Sequence, residues 1–212
     1  MDGRPHVATV VVIFAVIEHA LQVLLVQRTG EPERGRWALP GGQWDGDEPL
    51  DATATRKLRE ETGAGGLYLE QLFTSSGLDS QQVGVAVAYF ALVDPPRVEL
   101  RQGDEWPPDW HRVDQLPDLA FDNNAVIAQA VERVRAKLDY TNIAYGLLPD
   151  EFTVRELQAT YEAIHGRSLD RRNFRKRMIS NGIIESTETR RREGAHRPAL
   201  LYRFVSHEPV FL

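Results

Sequence analysis

Three carboxylates and one guanidinium are spaced so that they could bind a cation or a phosphate together. Arg56 and Glu60 are four residues apart and therefore share one face of any helix that contains them. Glu61 follows directly, and Glu48 lies eight residues before Arg56. Clustered carboxylates suit Mg²⁺, which takes oxygen ligands and often bridges to substrate phosphates. A solvated helix with internal ion pairs has the same spacing, so spacing alone leaves both interpretations open.

Periodicity indicates the elements that must position these side chains. A helix is predicted over 48–62, with Pro49 in its first turn and Gly63 as its C-terminal stop, and a Pro-Gly-Gly turn at 40–42 precedes it. Apolar runs predict buried strands, the first two of them joined as a hairpin, and an amphipathic run predicts a second helix. The strands are expected over 7–17, 21–27 and 83–93, and the helix over 124–138.

The segment 37–64 resembles the Nudix box and the loop that precedes it. That pattern is a glycine, five residues, a glutamate, seven residues, and then Arg-Glu, an apolar residue, any residue, Glu-Glu, any residue, glycine and a bulky apolar residue. The matching positions are Gly42, Glu48, Arg56, Leu58, Glu60, Glu61 and Gly63. The resemblance implies an α/β/α sandwich and a site for a nucleoside diphosphate linked to another moiety.

Two residues depart from the family pattern. Lys57 stands where the family has the glutamate after the arginine, and Ala64 replaces the bulky apolar residue. On a helix the ammonium group of Lys57 can reach both Glu60 and Glu61. It would partly neutralise them and occupy the place of a divalent cation. We therefore expect weak or absent Mg²⁺-dependent hydrolysis, no required cofactor, and at most weak metal binding by Glu60 and Glu61.

The ligand is expected to be ADP-ribose or a similar nucleotide. Relatives that take ADP-ribose often carry an Arg-Asp-Pro-Arg segment before the third strand, whereas here the stretch 77–81 keeps only Asp79. Arginines elsewhere could contact phosphate, although Arg28 and Arg36 fit exposed surface residues equally well. The candidate effector-binding residues are Arg28, Arg36, Gly41, Gly42, Arg56, Lys57 and Glu60.

The C-terminal segment predicts a helix-turn-helix. Thr153 is a good N-cap and Glu156 completes a capping box, and Gly166 ends the first helix. A short turn leads to a second helix over 170–181, whose buried side would carry Phe174 and Met178. Its basic side could enter the major groove of DNA. Arg171, Arg172 and Asn173 are candidate base contacts, and Arg175 and Lys176 are candidate phosphate contacts.

A β-hairpin with a basic tip is predicted after Gly182. Its candidate DNA contacts are Arg190, Arg191, Arg192, His196 and Arg197. A charge run can also be a solvated face or a module that binds RNA or protein. A basic helix and a basic hairpin in one small domain favour DNA.

The region 148–198 resembles the winged-helix domain of the Nudix-related transcriptional regulators. The residues that carry this resemblance are the runs 148–158, 161–162, 170–176 and 194–198. With the Nudix-like half, the resemblance covers nearly the whole chain. It implies a homodimeric repressor of NAD-biosynthesis genes that takes an ADP-ribose-type effector. A dimer on a palindromic operator also follows from the geometry of helix-turn-helix recognition. Some similar regulators control sugar catabolism instead, so the sequence leaves the target genes open.

Charge and composition support two domains with different partners. Residues 1–150 carry 13 basic and 23 acidic residues, whereas residues 151–212 carry 12 basic and 8 acidic ones. The absence of cysteine excludes disulfides, Cys-based zinc sites and a thiol nucleophile. The longest apolar run, 7–17, is too short to span a bilayer, and we expect a cytoplasmic protein. The predicted boundaries are 1–140 for the Nudix-like effector-sensing domain and 141–212 for the winged helix-turn-helix.

Two functions from different classes remain open on the sequence. The first is an effector-responsive transcriptional repressor, in which ligand changes the relative placement of two DNA-binding domains in a dimer. The alternative is an active Mg²⁺-dependent Nudix hydrolase, an ADP-ribose-type pyrophosphatase with an accessory C-terminal domain. A regulator that slowly consumes its effector lies between them.

Overall fold

The computed structural model of the 212-residue chain describes residues 6–65, 67–76, 84–101, 106–192 and 198–211. The strands of the first part are β1 (His6–Ile17), β2 (Ala20–Gln27), β3 (Trp37–Ala38), β4 (Gly41–Gln43), β5 (Glu70–Ser76), β6 (Gly84–Leu92) and β7 (Asp109–Arg112). The helices are α1 (Leu50–Thr62), α2 (Asn123–Tyr140), α3 (Val154–His165) and α4 (Arg171–Ser180). The last strands are β8 (Phe152–Thr153), β9 (Ile184–Arg191) and β10 (Ala199–Phe204).

Strand β1 organises the larger sheet, which has seven strands within the described residues. It pairs in parallel with β6 and antiparallel with β2 and β4, while β5, β3 and β7 extend the sheet. The predicted β1–β2 hairpin is confirmed, and its two turn residues, Glu18 and His19, both have positive φ. Strands β5 and β7 were not predicted, because their sequences are mostly polar and carry little apolar alternation.

The sheet lies between two helices, which confirms the expected α/β/α sandwich. Alternate residues of β1 face opposite layers, as strand geometry requires. Val11 and Ile13 belong to the apolar cluster that includes Leu58 of α1. Val12 and Phe14 belong to the apolar cluster that includes the buried side of α2. Helix α1 begins at Leu50, two residues later than predicted, and ends as expected at Gly63, which has a left-handed φ of 82°.

The C-terminal part has the predicted winged-helix arrangement. The capping box is present, since Thr153 Oγ1 accepts from the Glu156 backbone N–H and the Glu156 carboxylate accepts from that of Thr153. Phe174 and Met178 form the buried side of α4, as predicted. Strands β9 and β10 form the hairpin, and β8 adds a third strand beside β10.

One apolar cluster runs from the large sheet into the winged helix. It includes Phe14 of β1, Val134 of α2, Leu157 of α3 and Phe204 of β10. Helices α2 and α3 also share a hydrogen bond, from Arg135 Nε to the backbone oxygen of Ile164, at 2.8 Å. The two halves of the chain are therefore joined by packing as well as by the backbone. Within the described ranges, no helix is both long and apolar enough to cross a membrane.

Candidate functional site

A cleft of about 800 Å³ opens beside β1 and β4. Its size suits a nucleotide-sized ligand. The first strand and the turn that carries Gly41 and Gly42 form one wall, and the loop 28–34 forms another. Residues distant in the chain complete it, among them Trp106, Phe121 and Asn123. The cleft is thus assembled by tertiary contacts from segments that are far apart in the chain.

Gly41 lies at the floor of the cleft, where no side chain could fit. A Cβ there would lie 2.1 Å from the backbone oxygen of Thr9 on the neighbouring strand. The Gly41 backbone N–H donates to Glu61 Oε2 at 2.8 Å. Burial raises the pKa of the Glu61 carboxyl, and the Gly41 hydrogen bond and the nearby charges of Lys57 and Arg28 act in the opposite direction. Glu61 therefore faces the cleft and holds the glycine turn in place.

Two arginines of the loop 28–34 line the cleft beside aromatic rings. The Arg28 guanidinium carbon lies 4.5 Å from the centre of the Phe121 ring, and Arg28 Nε donates to the Pro32 backbone oxygen at 2.9 Å. The guanidinium of Arg34 lies 5.9 Å from the Trp106 ring. Guanidinium groups bind phosphates and aromatic faces stack on bases, so this edge fits a nucleotide with a diphosphate.

Two predicted effector residues of α1, Arg56 and Glu60, lie outside this cleft. Arg56 donates to Glu48 Oε1 at 2.6 Å and to Glu60 Oε1 at 3.1 Å. These bonds raise the pKa of Arg56 and lower the pKa values of Glu48 and Glu60. Arg56 and Glu60 border a separate, open depression. Arg56 thus acts as the centre of an ion-pair network.

Lys57 lies between these two surfaces. Its Nζ is 3.4 Å from Glu60 Oε2, and its methylene groups cover Gly42, where a Cβ would lie 2.8 Å from Lys57 Cδ. Glu60 and Glu61 line different cavities. Among the described residues, no group of three or more His, Cys, Asp or Glu side chains is arranged to hold a metal ion. Glu60 is paired with Arg56 and Lys57, and Glu61 accepts from the Gly41 N–H, so these two carboxylates as arranged do not fit the Mg²⁺ that Nudix enzymes use.

Arg36 lies outside the cleft. Its guanidinium is paired with Glu33 at 2.7 Å and with Asp118 at 2.6 Å. Sequence reasoning did not identify Arg34, Trp106, Phe121 or Asn123 as cleft residues. They belong to loops or to a helix start and form no motif with the Nudix box, so no periodic signal could find them. Of the predicted effector residues, the structure brings Arg28, Gly41 and Gly42 together at the cleft.

The predicted recognition helix presents its basic side to solvent. Asp170 caps α4 by accepting from the Asn173 backbone N–H at 2.8 Å. The exposed residues on that side are Arg171, Arg172, Asn173, Arg175 and Lys176. Arg175 also donates to the hydroxyl of Tyr202 on β10 at 3.3 Å, which fixes the helix against the hairpin. The first turn of α4 is thus open to a groove of DNA.

The basic strand of the hairpin divides into two kinds of arginine. Arg190 and Arg192 are exposed. Arg191 is half-buried and donates to the carboxylate of Glu156, which also closes the capping box of α3. The remaining candidates, His196 and Arg197, lie outside the described residues. Of the candidate DNA contacts on the hairpin, Arg190 and Arg192 are therefore the ones that the described part of the chain leaves exposed.

Comparison with known proteins matches both halves of the chain to families. A model described as "NUDIX domain" matches residues 4–133. A second, described as "NrtR DNA-binding winged helix domain", matches residues 144–204. The chain is 39% identical over 205 residues to a protein of Acinetobacter baylyi named "ADPR responsive transcriptional repressor NtrR", covering 94% of this chain and 82% of that protein.

Solved structures agree with this assignment. The fold superimposes on Shewanella oneidensis NrtR in complex with a 27mer DNA, with a TM-score of 0.83, 34% identity and 93% of each chain covered. The NUDIX domain of that protein in complex with ADP ribose matches with a TM-score of 0.55 and 36% identity, covering 62% of this chain and 89% of the domain. This chain therefore belongs to the NrtR family, in which a NUDIX domain is followed by a DNA-binding winged helix domain.

Proposed function

We propose that this chain is a DNA-binding transcriptional repressor whose NUDIX domain senses ADP-ribose or a closely similar nucleotide. One observation carries the proposal. A single chain combines a solvent-facing basic helix in a helix-turn-helix with a cleft edged by arginines and aromatic rings. The basic helix is a means of binding DNA, and the cleft is a means of making that binding depend on a metabolite.

The first turn of α4 supplies the chemistry of sequence-specific contact. Arginine pairs with guanine, and asparagine pairs with adenine, through two hydrogen bonds each in the major groove. Arg172 and Asn173 are exposed there, while Asp170 fixes the turn. Arg190 and Arg192 on the hairpin suit phosphate contacts. The relative from Shewanella oneidensis, which has the same two-domain fold, was crystallised on DNA.

The cleft supplies the chemistry of nucleotide binding. Arg28 and Arg34 offer charge to a diphosphate, and the rings of Phe121 and Trp106 offer faces to a base. ADP-ribose is favoured among nucleotides because the related NUDIX domain was crystallised with it. ADP-ribose is the part of NAD that remains after loss of nicotinamide, so genes of NAD metabolism are the proposed targets.

Hydrolysis of the bound nucleotide is proposed to be weak or absent. The carboxylates of Glu60 and Glu61 are engaged by Arg56, Lys57 and Gly41, and Lys57 would repel a divalent cation. Sensing without consuming the ligand is consistent with a regulator. A homodimer in the cytoplasm completes the proposal, because helix-turn-helix proteins read palindromic operators as dimers.

Fluorescence anisotropy with the duplex upstream of the protein's own gene tests the proposal. We expect nanomolar binding (on the order of 10⁻⁸ M) to this duplex, much weaker binding to a shuffled duplex, and a change in affinity when ADP-ribose but not AMP is added. The double variant Arg171→Ala/Arg172→Ala should lose specific binding, whereas Arg59→Ala, an exposed arginine of α1, should not. Equal affinity for both duplexes would refute the DNA claim, and indifference to every nucleotide would refute the sensor claim.

A further inference from the structure

Phe121 has a backbone conformation that its neighbours must hold. It is a non-glycine residue with φ of 52°, in the left-handed region. Such a conformation is sparsely populated in non-glycine residues and persists only where surrounding contacts enforce it. Two contacts do so here: the Phe121 backbone N–H donates to Glu33 Oε2 at 2.7 Å, and its ring lies beneath the guanidinium of Arg28 at 4.5 Å. Both Arg28 and the Phe121 ring line the cleft.

The N-terminal end of α2 is tied to the cleft immediately after Phe121. The side-chain oxygen of Asn123, which is 6% exposed, accepts from the Leu39 backbone N–H at 2.6 Å. The Ala120 backbone N–H donates to the Trp37 oxygen at 2.8 Å. Leu39 is two residues before Gly41, so this hydrogen bond joins the glycine turn of the cleft to the first turn of α2.

The C-terminal half of α2 holds the winged helix. Arg135 Nε donates to the backbone oxygen of Ile164 in α3 at 2.8 Å. The Ile164 side chain is fully buried. Within the winged helix, the ring of Tyr161 on α3 packs edge-on against Phe174 of α4, at 5.1 Å between ring centres. Helix α2 therefore covers about 18 Å between Asn123 at the cleft and Arg135 at the contact with α3, on which the recognition helix rests.

We propose that Phe121 is a positioning residue through which ligand in the cleft acts on the recognition helix, with α2 as the rigid connection and Arg135 as its attachment to α3. This inference rests on the proposed function, that an anionic nucleotide occupies the cleft. Arg28 is shared between the Phe121 ring and the ligand. When its guanidinium turns to the phosphates, one of the two contacts that hold Phe121 is lost, and the first turn of α2 relaxes.

This arrangement meets the thermodynamic requirement for coupling. A ligand shifts an equilibrium only when it binds the two arrangements with different affinity. Here that difference arises because Arg28 contacts either the ring or the phosphates. Coupling between two sites commonly changes affinity about 5- to 150-fold. By reciprocity, DNA binding should change the affinity for the nucleotide by the same factor.

The test uses the full-length protein and separates coupling from binding. ADP-ribose affinity is measured by calorimetry, and DNA affinity by anisotropy, with and without saturating ADP-ribose. Arg135→Met removes the α2–α3 hydrogen bond without touching either ligand. It should keep both separate affinities within about threefold, while the factor by which ADP-ribose changes DNA affinity becomes smaller. The factor should not reach one, because the apolar packing between α2 and α3 remains. Gln129→Met, an exposed position of the same helix, should retain the wild-type change.

A second variant acts at the other end of the path. Phe121→Leu keeps an apolar side chain but removes the aromatic face from beneath Arg28, and at saturating ADP-ribose it should also show a reduced change in DNA affinity. If Arg135→Met unfolds at a lower temperature than the other variants, its loss of coupling is not interpreted, and Phe121→Leu alone tests the inference. Wild-type coupling in both variants would overturn the inference while leaving the proposed function intact. A wild-type protein that does not respond to ADP-ribose would overturn both.

Discussion

The Lys57 ammonium lies 3.4 Å from Glu60 Oε2, while the methylene groups of Lys57 cover Gly42. A single side chain thus places a positive charge among the carboxylates of α1 and packs the glycine turn of the cleft. A carboxylate at this position would have the opposite charge and a shorter stem. Replacing Lys57 by a carboxylate would remove the ammonium group and supply an oxygen ligand for a metal ion.

Lys57→Glu is therefore expected to increase Mg²⁺-dependent hydrolysis of ADP-ribose by at least about tenfold, the effect usual for a metal ligand or its supporting partner. The rate of hydrolysis is measured as the release of AMP, which is quantified by chromatography with and without Mg²⁺. Lys57→Gln removes the charge without adding a ligand and should gain less. A wild-type rate equal to that of Lys57→Glu would contradict the explanation, because Lys57 would then not limit hydrolysis.

Arg28 and Arg36 should differ in their effect on nucleotide binding. Arg28 lines the cleft, whereas Arg36 is paired with Glu33 and Asp118 outside it. Loss of a charge-assisted contact costs roughly 1.5–3 kcal/mol, so Arg28→Gln should weaken ADP-ribose binding about 10- to 100-fold. Arg36→Gln is the matched control and should change the dissociation constant less than about twofold. Calorimetry measures the dissociation constant of ADP-ribose for both variants. Equal effects of Arg28→Gln and Arg36→Gln would mean that the ligand binds outside this cleft.

Neighbouring arginines on the hairpin should also differ. Arg190 is exposed, whereas Arg191 is paired with Glu156. Arg190→Gln should reduce the salt dependence of DNA binding by about 0.9 in the slope of log K against log salt, the value for one phosphate contact. Arg191→Gln should leave that slope unchanged. Because its side chain is 35% exposed and that of Glu156 40%, the variant should lower the free energy of unfolding by less than about 1 kcal/mol.

These two measurements check the assignment of each arginine. Anisotropy titrations between about 50 and 200 mM salt give the slope, and thermal unfolding gives the stability. A reduced slope for Arg191→Gln would mean that this side chain leaves Glu156 to contact DNA, as sequence reasoning alone proposed.

The junction of α2 and α3 should weaken in acid because of His165. Burial lowers the pKa of His165; Asp139, at 3.8 Å, acts in the opposite direction. The positive charges of three nearby arginines also lower the pKa of His165: Arg167, Arg135 on α2 and Arg177 on α4. The unfolded chain takes up this proton near the ordinary value of 6.5. The folded protein takes it up only at lower pH, so stability is lost as pH falls through that window.

Urea unfolding between about pH 7.5 and pH 5 should therefore show a smaller loss of stability for His165→Gln than for the wild type. His207→Gln, an exposed histidine of the C-terminal segment, serves as the control. The same pH dependence in wild type and His165→Gln would assign the effect to other groups, such as His111, whose pKa is also lowered by burial.

The winged-helix half was well predicted because its signals are local. The Thr153–Glu156 capping box, the stop at Gly166 and the buried pair Phe174 and Met178 lie close together in the chain. Each of these features depends on spacing within one or two helical turns, which the sequence displays directly. The exposure of the basic side of α4 follows from the same periodicity. The Arg191–Glu156 pair could not be predicted, since its partners are 35 residues apart.

The sequence by itself determined the two-part architecture, the Nudix box, the departure at Lys57 and the basic face of α4. Only the tertiary structure decided which residues share the cleft. It placed Arg28 beneath the same opening as Phe121 and Trp106, turned Arg56 and Glu60 to another surface, and paired Arg36 outside it. The physical reason is that motifs record spacing along one element. A ligand site is formed by side chains from loops that come together only when the sheet and its helices pack.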